Sequence, residues 1–210
     1  MRKTMMLLVA VFAALAVATP AATADPNKSV TISASKPIVV YGHTVTLSGK
    51  ITPPATNQKV DIMAQPFGLS TMSAFSTTDT TNGGQWTFDV KPTIETMYQA
   101  RWNTELSSTV DVKVRPAITL TLVRIHGRFG TFSTTALAAR PFAGKFVNVQ
   151  RVTSFGTATL KRVTLNADSK ATFKVRLSHK KRIRLRVVMP TSQAAPGYIA
   201  GFSNVLSVRR

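Results

Sequence analysis

Lys174, Arg176, Lys180, Lys181, Arg182, Arg184 and Arg186 place seven positive charges within 13 positions. Side chains of this type at this density do one kind of chemistry unaided, which is to hold anions. A guanidinium offers a planar fork to phosphate, sulfate or carboxylate, and an ammonium adds a compact point charge. The spacing says where they point. If Ile183, Leu185 and Val187 face a core, then Arg182, Arg184 and Arg186 share the solvent face of one strand, with about 6.8 Å between successive side chains. Phe173, Val175 and Leu177 facing inward leave Lys174 and Arg176 outward in the same way. Ser178-His179-Lys180-Lys181 is then the connection between the two strands.

Other chemistry finds little material. Cysteine is absent, which excludes a disulfide scaffold, a thiolate nucleophile and an iron–sulfur cluster. His43, His126 and His179 are scattered and are expected as solvated loop residues, in no metal-ligand spacing. Gly201-Phe202-Ser203-Asn204-Val205 lacks the second glycine of a nucleophile elbow, and no phosphate loop or dinucleotide fingerprint is present. Asp79-Thr80-Thr81-Asn82-Gly83-Gly84 has too few carboxylates for a calcium loop and is expected as a hairpin turn, since Asn-Gly favours one. The expectation is a protein with no enzymatic activity, no cofactor and no metal.

The elements that must position the basic residues are strands. Alternation with period 2 runs through Val30–Ala34, Thr44–Ile51, Lys59–Ile62, Gln85–Val90, Tyr98–Trp102 and Val110–Val114. The pattern then repeats in the same order. Ile118–Leu122 answers Val30–Ile32, Phe129–Ser133 answers Tyr41–Val45, and Gly144–Val149 answers Asn57–Ile62. Ala171–Val175 answers Trp86–Val90, Arg182–Arg186 answers Met97–Arg101, and Asn204–Arg209 answers Thr109–Lys113. The seam is Arg115-Pro116. Phe67-Gly68 and Phe155-Gly156 mark matching loops, where each phenylalanine is expected to pack on the end of the fold, the other reading being an exposed contact residue. Pro196-Gly197-Tyr198 is expected in the loop before the last strand, where Tyr198 could reach a partner.

On these residues the chain resembles bacterial immunoglobulin-like repeat domains of secreted and surface proteins. The resemblance is carried by Tyr41-Gly42-His43-Thr44-Val45-Thr46-Leu47-Ser48-Gly49, Lys59–Ile62, Asn82-Gly83-Gly84-Gln85-Trp86-Thr87-Phe88 and Tyr98-Gln99-Ala100-Arg101. It implies an all-β fold of two tandem immunoglobulin-like Greek-key β-sandwiches, 25–115 and 116–210, and no shared catalytic residues. Trp86 and Trp102 are expected in the core.

The first residues read as an address. Arg2 and Lys3 precede the apolar run Met5–Val17, and Ala22-Thr23-Ala24 fits a small-x-small cleavage pattern. Residues 1–24 are therefore expected as a signal peptide, because the run falls short of the roughly 20 residues a spanning helix needs. The mature chain is expected to be secreted, without a transmembrane segment, and possible surface association follows from its charge.

That charge is uneven. The whole chain carries +19; residues 25–115 hold eight basic and seven acidic residues, whereas residues 116–210 hold seventeen basic residues against Asp168 alone. A field of this size attracts anionic polymers and costs self-repulsion. The leading expectation is an exported, non-catalytic binding module. Its second domain contacts wall polymer, glycan or lipid headgroups through the seven residues from Lys174 to Arg186. The alternative is a structural spacer whose charge is merely solvated. Nucleic acid is disfavoured, since no aromatic platform is interleaved with the basic residues and the chain carries an export signal. Oligomeric state is not legible.

Overall fold

The computed structural model describes residues 27–179 and 181–210; the expected leader at 1–24 and Lys180 lie outside the described residues. The chain is nearly all β. Alternation becomes burial: Thr96, Tyr98, Ala100 and Trp102 are buried while Met97, Gln99 and Arg101 are not. The first half contains β1 (Ser29–Val30), β2 (Ser33–Ala34), β3 (Ile38–Val40), β4 (Val45–Thr52), β5 (Lys59–Pro66), β6 (Ser73–Asp79), β7 (Gln85–Val90), β8 (Thr96–Trp102) and β9 (Glu105–Arg115). The second contains β10 (Ala117–His126), β11 (Phe129–Leu137), β12 (Phe146–Thr153), β13 (Gly156–Thr164), β14 (Lys170–Arg176), β15 (Ile183–Met189), the short helix α1 (Thr191–Ala194), β16 (Gly201–Phe202) and β17 (Leu206–Val208).

Each half builds two sheets, and among the described residues no sheet takes strands from both sides of Pro116. In the first half β4 pairs with β1, β2 and β7, and the order of the other sheet is β3-β9-β8-β5-β6. Leu47, Ile51 and Trp86 from one sheet and Val60, Ile62, Tyr98 and Val112 from the other supply buried core side chains. In the second half β10-β11-β14 forms one sheet, and β13-β12-β15, with β16 and β17 both on β15, forms the other. Phe132 and Phe173 stack at 5.7 Å inside it, and Val147, Val149, Leu185 and Val187 are fully buried.

Four local expectations are corrected. The stretch Val30–Ala34 is two short pairings rather than one strand, and the chain then changes sheet, with β3 running parallel to β9. In the second half β10 instead stays on β11 for its whole length. The Asn82-Gly83-Gly84 turn is not a hairpin. β6 pairs with β5 and β7 with β4, so the turn carries the chain between sheets. Gly83 and Gly84 at φ +76° and +72° supply the left-handed backbone for that reversal. The match of Phe129–Ser133 with Tyr41–Val45 is out of register. Phe132 pairs with Phe173 where Leu47 pairs with Phe88, so Phe132 stands for Leu47 rather than Thr44. Gly130 is no turn glycine, because it lies within β11, where an added Cβ would sit 2.8 Å from the Phe132 ring. His126, finally, is the last residue of β10 rather than part of the turn, which is Gly127-Arg128.

Residues 190–201 join the halves. The Glu95 N–H donates to Gly197 O at 3.0 Å and the Ile199 N–H to Val114 O at 3.0 Å. The Tyr198 hydroxyl donates to Thr93 O at 2.7 Å and accepts from the Ala139 N–H at 3.1 Å. Tyr198 is 2% exposed, so it is not a contact residue for an outside partner. The partner it reaches is the other half of its own chain.

Candidate anion-binding surface

β14 and β15 belong to different sheets, and Arg176 at the end of one and Ile183 at the start of the other lie at the end of the second half remote from Pro116. Two hairpin tips reach the same end. Phe129, beside the Gly127-Arg128 turn, is in register with Arg176, and the Leu177 N–H donates to Arg128 O at 2.8 Å. Ser154-Phe155, at the tip of the β12–β13 hairpin, borders an open hollow of about 680 Å³ together with Arg151, Arg176, Lys181, Arg182 and Arg184. A second hollow of about 390 Å³ lies alongside, between Arg128, Arg176, His179 and Arg210.

The seven expected residues do not act together. Lys174 points outward from the middle of β14, opposite Thr131, and lies on the sheet face rather than at the end. Arg176, Lys181, Arg182 and Arg184 are exposed and converge on the larger hollow. Lys180 lies outside the described residues. Arg182 precedes β15 rather than sitting on it, so the expected three-arginine stripe along one strand shortens to Arg184. Arg186 is not on the solvent face in the expected sense. It is half-buried, its Nε donates to Gln150 Oε1 at 3.0 Å, and its guanidinium lies 5.4 Å from the centre of the Phe202 ring. β15 is an inner strand, and neighbouring strands supply partners that period 2 alone does not reveal.

Two arginines outside the expected set replace it. Arg128 is carried by the β10–β11 turn. Arg151 has the parity of Val147 and Val149, the core side of β12. It stands opposite Leu185 near the end of the strand, so it lines the hollow instead of entering the apolar layer. A charged residue following Val147 and Val149 at the same parity was the signal available in the sequence. Phe155 also departs from expectation. It does not pack on the end of the fold but is fully exposed.

The electrostatics are one-sided. Lys59–Asp79, Arg101–Asp61 and Lys113–Asp111 are ion pairs of the first half. The sole acidic side chain of residues 116–210, Asp168, precedes β14 at the opposite end of that strand from Arg176, roughly 20 Å away at strand rise. Arginines gathered without acidic side chains repel one another, and a bound polyanion relieves that repulsion. Among the described residues, no three or more His, Asp or Glu side chains are grouped to hold a metal ion. No helix among them is long and apolar enough to cross a membrane.

No protein-family model and no curated protein matches the chain. Among solved structures it is similar to a tetra-tandem repeat in the extending region of a large adhesion protein, at 14% identity and a TM-score of 0.34. The match covers 86% of this chain and 49% of that one, so the chain spans about half the length of the structure it matches. A likeness at that level assigns neither family nor function.

Proposed function

We propose that the protein is an exported, non-catalytic surface module. In this reading residues 1–24 are a cleaved leader and residues 25–115 and 116–210 are two tandem immunoglobulin-like sandwiches. The second sandwich attaches to an anionic polymer or surface. The observation that supports it is the convergence of Arg128, Arg151, Arg176, Lys181, Arg182 and Arg184 at one end, on elements far apart in sequence. Single-sign charge assembled from two connections and three strands, with the nearest acidic side chain of the half a strand away, is costly for folding and useful for holding phosphate, sulfate or carboxylate.

The test is binding of the chain from Asp25 onward to immobilised polyphosphate and to a sulfated glycan at several salt concentrations. Affinity is expected to fall steeply with salt, because neutralised sites release counterions. Arg176→Gln, Lys181→Gln, Arg182→Gln and Arg184→Gln together are expected to weaken binding and flatten the slope. Each exposed substitution costs about 0.5 kcal/mol of stability or less. A quadruple variant that binds as tightly as the parent, with an unchanged slope, ends this reading.

A second reading has its own support. β13 is an edge strand exposed along nearly all its length, and it carries Lys161 and Arg162. Lysine and arginine on an edge block pairing with other chains. Part of the charge of residues 116–210 is explained as edge protection in a spacer, but Arg151 and Arg184 of the remote cluster stand on the inner strands β12 and β15.

A further inference from the structure

We infer that the remote end of the second half docks on a lipid surface rich in anionic phosphate headgroups, with Phe155 entering the apolar layer beneath them. The inference rests on the anion-binding reading above and names its partner. Phe155 is 100% exposed at the tip of the β12–β13 hairpin, although the same fold buries Phe132, Phe142 and Phe173 almost completely. It is not alone. Phe129 is 49% exposed and Ile125 42% exposed at the neighbouring hairpin tip, whose strand β10 is exposed from Thr121 to its end. Both phenylalanines stand among arginines: Phe155 borders the hollow of Arg151 and Arg182, and Phe129 adjoins Arg128 and faces Arg176 in register.

This pairing selects the partner. A hydrated polyanion satisfies the arginines but leaves the phenyl ring in water. An apolar protein groove accepts the ring but offers nothing to six cations. A bilayer interface supplies both at the depths required, phosphates at the headgroup level and an apolar layer below it. Hairpin tips suit the task because a ring at a tip enters without carrying unpaired strand backbone with it. The charge complementarity is one-sided at this end, where no acidic side chain of residues 116–210 would repel the headgroups.

The experiment uses the chain from Asp25 onward, with vesicles of phosphatidylglycerol and phosphatidylcholine, vesicles of phosphatidylcholine alone, and soluble polyphosphate. Co-sedimentation is expected with the anionic vesicles only. Phe155→Ser is expected to lower that affinity by roughly tenfold while leaving polyphosphate binding unchanged. Phe155→Trp provides a direct report. Trp86 and Trp102 are 1% and 5% exposed, so the new indole is the one that lipid can reach. Its emission is expected to shift to the blue on anionic vesicles and not on polyphosphate. Equal vesicle affinity for Phe155→Ser, or no shift for Phe155→Trp on bound vesicles, overturns the inference. Binding to polyphosphate but not to vesicles also overturns it and leaves the anion-binding reading standing. Binding to neither removes both.

Discussion

Arg184 and Arg186 stand two positions apart on one strand and have opposite tasks. Arg184 is exposed beside the larger hollow, whereas Arg186 is held by Gln150 and Phe202. Arg186→Gln is expected to cost about 1 kcal/mol of stability, read from the urea midpoint, and to change anion affinity little. Arg184→Gln is expected to do the reverse. Two carboxyl groups of the first half make a similar contrast in pH. Hydrogen bonds from Arg101, then from Thr77, hold the Asp61 carboxyl below its ordinary value, with burial opposing them. Its contribution is complete above about pH 4, the unfolded value, and is lost as pH falls through the lower folded value. Burial, then the charge of Asp111, pushes Glu95 up, with Lys113 opposing. There the folded state holds its proton longer, so stability declines as pH rises from about 4.3 through the folded value. Asp61→Asn is therefore expected to lower stability at pH 7 and not at pH 2, by no more than about 1 kcal/mol for a partly exposed pair. Glu95→Gln is expected to raise stability at pH 7 and leave it unchanged at pH 3. Denaturant titrations across that range read both signs.

At the scale of elements, β4 carries the tightest constraint. A Cβ on Gly49 would lie 1.9 Å from Thr31 O and 2.6 Å from the Trp86 ring. The strand can bring β1 and β2 onto one edge, with the buried indole alongside, because this position has no side chain. Gly49→Ala is expected to destabilise by about 1–3 kcal/mol, the range for overpacking, and to move the thermal midpoint accordingly. A shift under about 0.5 kcal/mol would show that Thr31 and Trp86 are free to move apart. The two hairpins at the remote end follow the opposite logic. β13 and the latter part of β10 bury almost nothing, so their tips tolerate change and can carry contact residues.

For the whole molecule, the joint decides how an attachment at one end orients the other half. Arg140 Nη2 donates to Ala194 O at 2.6 Å and Pro196 O at 3.3 Å, and its guanidinium lies near the Phe142 and Tyr198 rings. Tyr198 then bridges to Thr93, and Gly197 at φ +76° fits against Ile94, 2.5 Å from where a Cβ would stand. A linker as short as Arg115-Pro116 restricts motion, and this packing restricts it further. Tyr198→Phe removes one donor and one acceptor at the joint and is expected to cost about 1–2 kcal/mol. Gly197→Ala adds both a strained φ and a clash. Calorimetry of the parent is expected to show one coupled transition, with the double variant separating into two. An unseparated transition in the double variant would mean that the halves are coupled elsewhere.

Composition and period 2 were enough for the class of element and the concentration of charge, since these depend on residue types and their neighbours along the chain. Tyr98, Ala100 and Trp102 are buried as their alternation says, and Phe173, Val175 and Leu177 turn inward and leave Arg176 outside. What alternation cannot carry is the identity of the strand alongside. Arg186 was read as outward because its parity is outward; Gln150 and Phe202, brought in by β12 and β16, half-bury it. Tyr198 looked like a contact residue because its loop looked free, and the tertiary fold lays that loop on the first half. Arg151 joined the candidate surface, and Phe155 stood out exposed beside it, for the same reason in reverse. Both lie where the sandwich ends, and the end of a core is set by packing between sheets, not by sequence spacing.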